Sequence, residues 1–124
     1  METLESTFVF HHTRIRILTE RTSDLVDLTD GVEQFVSETA LAAGFVNIQT
    51  LQPTTGIVVA DTLAGHLPEA LAVPAPAEPL PWAACLNVVD GRLRLPRGQR
   101  LFFVERDGPR ARDLGVVMAG EGRR

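Results

Sequence analysis

Five residues, Gln52-Pro53-Thr54-Thr55-Gly56, set two adjacent hydroxyls in a link too rich in proline and glycine to be ordinary strand. The link lies between the β-favouring residues 45–51 and the apolar residues 57–60. That position makes it the candidate ligand-facing edge, because functional groups concentrate on loops held by a rigid scaffold. The cationic chemistry of the chain belongs to arginine: all 12 basic residues are Arg and none is Lys. A guanidinium donates two parallel hydrogen bonds from a planar fork, which suits phosphate and carboxylate. Residues 92–124 hold nine arginines against four acids, whereas residues 1–91 hold three against twelve. A basic last quarter on an acidic body suits an anionic ligand or another subunit's acidic face; the plainer alternative is solvated surface charge.

Metal and nucleophile chemistry have less to work with. His11 and His12 are adjacent, so on a strand they point to opposite faces and cannot together grip one metal. Cys85 is the only cysteine, which leaves no internal disulfide and no thiolate cluster. It stands in an apolar run and reads as a small buried hydrophobe rather than a catalytic thiol. No HxH, HxxxH or CxxC spacing, nucleophile elbow or phosphate-cradling glycine loop occurs. The expectation is therefore no metal site and no cofactor.

Elements must position the hydroxyls and arginines. Residues 7–19 read as a strand whose parity slips, with Phe8 and Phe10 even and Ile15 and Ile17 odd, so a bulge is expected near residues 11–13. A short strand over 25–28 precedes a helix with Asp30 as N-cap and Glu33 completing a capping box. Val32, Phe35, Val36, Thr39, Ala40 and Ala43 form its apolar face, and Gly44 sits where a left-handed C-cap belongs. A short helix restarting near Pro68 and a proline-rich arm over 74–81 follow. The remainder reads as a four-stranded meander: 83–89, a turn at Asp90-Gly91, 92–95, a turn at 96–98, 100–106, a turn at 107–109, and 114–119. Strands, a helix and more strands without βαβ regularity argue for an α+β fold with a mainly antiparallel sheet.

The chain's 124 residues and 44% hydrophobic content fit one domain with a real core. No apolar run approaches the roughly 20 residues that span a bilayer. The acidic residues near the N-terminus, Glu2 and Glu5, are unlike a secretory signal, so a cytoplasmic location and no membrane partner are expected. An acidic total with no Lys and no Tyr for base stacking argues against nucleic acid.

Two blocks carry a family resemblance. One is the helix leading into GFVNIQTLQPTTGIVVAD; the other runs from Val88 to Arg112 and contains Gly98, Gln99, Glu105, Asp107, Gly108, Pro109 and Arg110. Together they resemble the YjbQ family, the secondary thiamine-phosphate synthases, along most of the chain and most weakly over 62–82. The resemblance implies a single α/β sandwich domain over 1–124, assembly as a homotrimer, and sites near subunit boundaries. It implies ligand-binding roles for Thr54, Thr55, Asp61, Gln99, Glu105 and Arg110, with Arg110 taking a phosphate. Two of the family's features are altered. Pro53 stands where the first-motif histidine belongs, and Asp61-Thr62 replaces an Asn-Glu pair or, with a one-residue slip, Asp61 replaces its glutamate. The downstream segment with further histidines is largely missing, leaving His66 alone nearby. The resulting expectation is a small-anion-binding trimer with weak or no catalysis; the alternative is a thiamine-phosphate synthase-type enzyme. Two structural roles stay open beside the ligand roles: Glu105 and Arg110 as an ion pair pinning the last hairpin, and the threonines satisfying backbone groups.

Overall fold

The computed structural model describes residues 7–61 and 79–123. Its elements in order are β1 (Phe8–Leu18), β2 (Asp24–Asp27), α1 (Thr29–Glu38), β3 (Leu41–Thr50), β4 (Thr55–Asp61), β5 (Ala83–Val89), β6 (Arg92–Leu93), β7 (Gln99–Glu105) and β8 (Ala111–Gly122). They build two antiparallel sheets, a large one in the order β1-β8-β3-β5-β6 and a small one in the order β2-β7-β4. The fold is α+β, a mainly antiparallel sandwich with one helix among the described residues. The link between β3 and β4 carries the chain from one sheet to the other. Residues 81 and 82 pin that crossing, since Thr50 N donates to Trp82 O (2.9 Å) and Ile57 N to Pro81 O (2.9 Å).

The sheets meet through alternate residues. Val46, Ile48, Leu114, Val116 and Met118 of the large sheet face Ile57, Leu101 and Phe103 of the small one, and Val32 and Val36 of α1 join the same core. The outer face of the large sheet has no cover among the described residues, and Phe8, Phe10 and Phe45 lie exposed on it. No helix of the described residues is long and apolar enough to cross a membrane.

Several expectations change. Strand β1 has no bulge: its register with β8 runs unbroken from Phe8↔Glu121 to Leu18↔Ala111. Apart from the exposed His11, the odd residues are the more buried ones along the strand, and both phenylalanines are exposed. The parity "slip" was apolar residues occupying both faces. The helix ends at Glu38, where the Thr39 hydroxyl bonds the carbonyls of Phe35 (3.0 Å) and Val36 (3.2 Å), competing with the next helical turn. Ala40, not Gly44, takes the left-handed conformation (φ 59°). The helix N-cap is Leu28, and the acid serving the first turn is Asp27, whose carboxylate accepts from Thr29 N (2.9 Å). Asp30 lies within the helix and reaches Arg100 instead (3.1 Å).

The final strands are no meander either. β5 and β6 form the expected hairpin, with Asp90 (φ 53°) and Gly91 (φ 74°) as its two-residue turn. The chain then crosses to the small sheet for β7 and returns as β8 between β1 and β3. Cys85 is exposed, because it pairs with Asn47 on the open face of the large sheet. The helix expected near Pro68, His66 and most of the proline-rich arm lie outside the described residues.

Gly44 and Gly120 face each other across β3 and β8 with no room for side chains. A Cβ on Gly120 would stand 2.1 Å from Ala43 O, and one on Gly44 would stand 2.1 Å from Ala119 O. Backbone cannot yield as a flexible side chain does. Gly120→Ala is therefore expected to lower unfolding free energy by at least about 2 kcal/mol in urea titration, and an unchanged midpoint would contradict this close approach.

Candidate functional site

The last residue of β7, Glu105, points into the space between the sheets, and β8 presents Arg112 from the opposite side. Arg112 Nε donates to Glu105 Oε1 and Arg112 Nη2 to Glu105 Oε2, both at 2.8 Å, as a bidentate fork. The carboxylate is fully buried, and the Arg112 side chain is nearly so. Thr19 Oγ1 donates to Glu105 Oε1 (2.9 Å), and Asp107 N donates to Oε2 (3.3 Å). The remaining reach of Arg112 goes to Thr54 Oγ1 (3.1 Å) and Asp107 O (3.4 Å). Burial by itself raises the Glu105 pKa; the Arg112 guanidinium, the Thr19 hydroxyl and the Asp107 amide outweigh it and hold the carboxyl below its ordinary value.

This pair corrects the expected one. Glu105 pins β8 through Arg112, two residues beyond Arg110. Arg110 is exposed, with Nη2 at 3.1 Å from Asp107 Oδ2 and Nε donating to Asp107 O (3.0 Å). The missed residue had a sequence signal: Arg112 shares parity with Leu114, Val116 and Met118, so an inward-facing strand carries one cation.

The six candidate ligand residues fall into two groups. Thr54, Thr55, Glu105 and Arg110 gather at one end of the β4–β7 ladder, where Thr55 pairs with Glu105 and Arg106 N donates to Thr54 O (3.0 Å). Asp61 and Gln99 pair at the other end, hydrogen-bonded to each other through Gln99 Nε2 and Asp61 Oδ1. Six residues of strand separate the groups by about 20 Å. Thr54 is part-exposed beside Arg112. The buried Thr55 hydroxyl is occupied within the link, at 2.6 Å from Thr50 Oγ1 and 2.9 Å from Gln52 O. Among the described residues, no group of three or more His, Cys, Asp or Glu is placed to hold a metal.

No protein-family model and no curated protein matches the sequence. Solved structures do. A YbjQ-like protein of unknown function from Sulfolobus solfataricus superposes with a TM-score of 0.81 at 26% identity, over 93% of this chain and 100% of its own. The chain is YjbQ-like in fold. A hypothetical protein from Aeropyrum pernix follows at TM-score 0.76 and 24% identity, over 90% of this chain and 99% of that one. An uncharacterised conserved YjbQ-family protein from Clostridium acetobutylicum gives 0.72 and 18%, over 86% and 98%. The exposed Pro53 adjoins the Thr54–Arg112 contact.

The buried pair generates a pH test. The folded pKa of Glu105 lies below its unfolded value, so its stabilisation is complete above the ordinary carboxylate range and is lost as pH falls through the folded value. Arg112→Met leaves a buried carboxylate unpaired and is expected to cost about 3–5 kcal/mol near neutral pH. Burial then dominates and pushes Glu105 up, so the sign reverses: the variant's deficit should shrink as pH falls from about 8 to about 5. Urea titrations of both proteins at the two pH values measure it; a deficit that does not change with pH would count against the pairing.

Proposed function

We propose that this YjbQ-like protein is a homotrimer that binds a small phosphorylated or carboxylated ligand at Thr54 and Arg110, with weak or no catalysis of its own. The observation that carries the reading is Arg110. Its side chain is 58% exposed, yet Asp107 holds it through both a carboxylate and a carbonyl contact. A pre-positioned fork that shares the Asp107 carbonyl with Arg112, the arginine on Thr54, suits an oxyanion, since little side-chain freedom is left to lose on binding. The neighbouring Arg112 is committed to Glu105 and supplies orientation of Thr54 instead.

Chemistry is a different matter. Joining a thiazole phosphate to an activated pyrimidine needs charge stabilisation for departing pyrophosphate and a positioned acid or base, the latter typically contributing ~10²–10⁴-fold. No imidazole contacts Thr54, Glu105, Arg110 or Arg112 among the described residues. That arrangement supports the reading of binding without efficient turnover.

The trimer rests on the open face. Phe10 pairs with Ala119 and Ala119 with Phe45, with Phe8 one step along, so an apolar patch spans three adjacent strands. Contiguous apolar surface of this kind usually marks an interface. The division of acids and arginines along the chain supports contact between unlike surfaces of neighbouring copies.

Two measurements follow. Calorimetric titration with inorganic phosphate should give saturable binding that Arg110→Ala removes, while purified protein forms thiamine phosphate poorly or not at all. Robust turnover would establish the synthase reading instead. Light scattering at micromolar concentration should give about 40 kDa, three times the 13.5 kDa chain, and Phe10→Glu should lower it to the monomer mass. A wild-type monomer across that range would end the trimer reading.

A further inference from the structure

The apolar patch occupies only one end of the open face. At the other end the floor is Gly115, which pairs with Arg14 of β1 on one side and Gln49 of β3 on the other. A Cβ built on Gly115 would meet nothing nearer than Gln49 O at 4.0 Å, so the strand offers bare backbone to anything lying across it. Two recesses meet there at Leu51. One, about 220 Å³, is bounded by Gln49, Leu51, Gln52, Pro53 and Trp82. The other, about 490 Å³, is bounded by His12, Arg14, Leu51, Asp113, Gly115 and Val117.

The walls differ in chemistry. Trp82 is 69% exposed, although its backbone is fixed to Thr50, so its indole is a held but open stacking surface. The Gln49 amide and the Arg14 guanidinium make no hydrogen bond or ion pair with any described residue. Asp113, the nearest acid on this face, is taken by Arg16 at 3.4 Å. The strands bearing Gln49 and Arg14 lie two sheet spacings apart, about 10 Å. Trp82 leads into β5, beyond Gln49 on the side away from Arg14.

We propose that this groove is a second binding site, for a flat heteroaromatic ring joined to an acidic group, with a nucleoside monophosphate as its chemical type. The ring stacks on Trp82, and the Gln49 amide, donor and acceptor side by side, reads its edge as glutamine reads adenine. The acid crosses Gly115 to the fork of Arg14, with His12 two residues along the same face. Neither Thr54 nor Arg110 takes part, so this site is independent of the anion rim.

Trp82 is the only tryptophan and the chain has no tyrosine, so indole fluorescence reports this groove alone. Titration of the full chain with adenosine monophosphate should quench it saturably. Arg14→Gln should weaken the monophosphate tenfold or more while leaving adenosine unchanged. Gln49→Leu should weaken both ligands, and Arg110→Ala neither. Circular dichroism checks that the variants, none at a fully buried position, remain folded. Absence of saturable quenching at millimolar monophosphate would overturn the proposal. So would a loss on Arg110→Ala matched by none on Arg14→Gln, which would leave the rim reading standing.

Discussion

Removing two charges from water is costly, and the Glu105–Arg112 pair is tolerable between the sheets because further hydrogen bonds surround it and leave no buried side-chain nitrogen or oxygen among the described residues unpartnered. Thr19, Thr54 and the Asp107 backbone supply them from three separate loops and strands. The arrangement has a geometric consequence. Side chains alternate along a strand, so a one-residue slip of β7 or β8 would turn one partner outward and leave the other buried and alone. The pair therefore ties the registers of both sheets to one another. It also fixes where the β3–β4 link must pass, since Thr54 completes the shell around Arg112. The candidate site is built on the outer side of that shell.

Much of the fold was legible. Alternation located nearly every strand, and Asp90-Gly91 and Pro96-Arg97-Gly98 marked turns that the backbone makes, the second closed by Gln99 N to Pro96 O (2.9 Å). What stayed hidden was partnership. Nothing local in Leu114 to Ala119 says that this strand lies between β1 and β3 rather than beside β7. The same blindness misplaced Cys85 and the phenylalanines: an apolar residue on a strand declares a face, and only the tertiary fold says which face is covered. The helix failed at its end for a local reason, because one threonine hydroxyl and one left-handed alanine outweighed a good apolar period.

The site was legible in part. Thr54, Glu105 and Arg110 do come together, while Asp61 and Gln99 lie along the ladder from them. Arg112 went unremarked because a charged residue invites a surface reading, although its neighbours two and four residues on face inward. Likeness to other YjbQ-like structures settles the architecture. Chemistry belongs to particular side chains grafted on it.

The placement of β8 also bears on how the molecule forms. Among the described residues β1 has no neighbour in the large sheet except β8, and β3 has β8 on one side. The earliest described strand must therefore wait for the last one, with the whole intervening chain as the loop to be closed. Loop-closure entropy has to be met before those contacts reward it, which places this topology among slow folders. Until β8 is made, β1 exposes two unsatisfied edges together with Phe8 and Phe10. The nascent chain is thus most exposed to sticking at its beginning, and its final strand relieves that exposure.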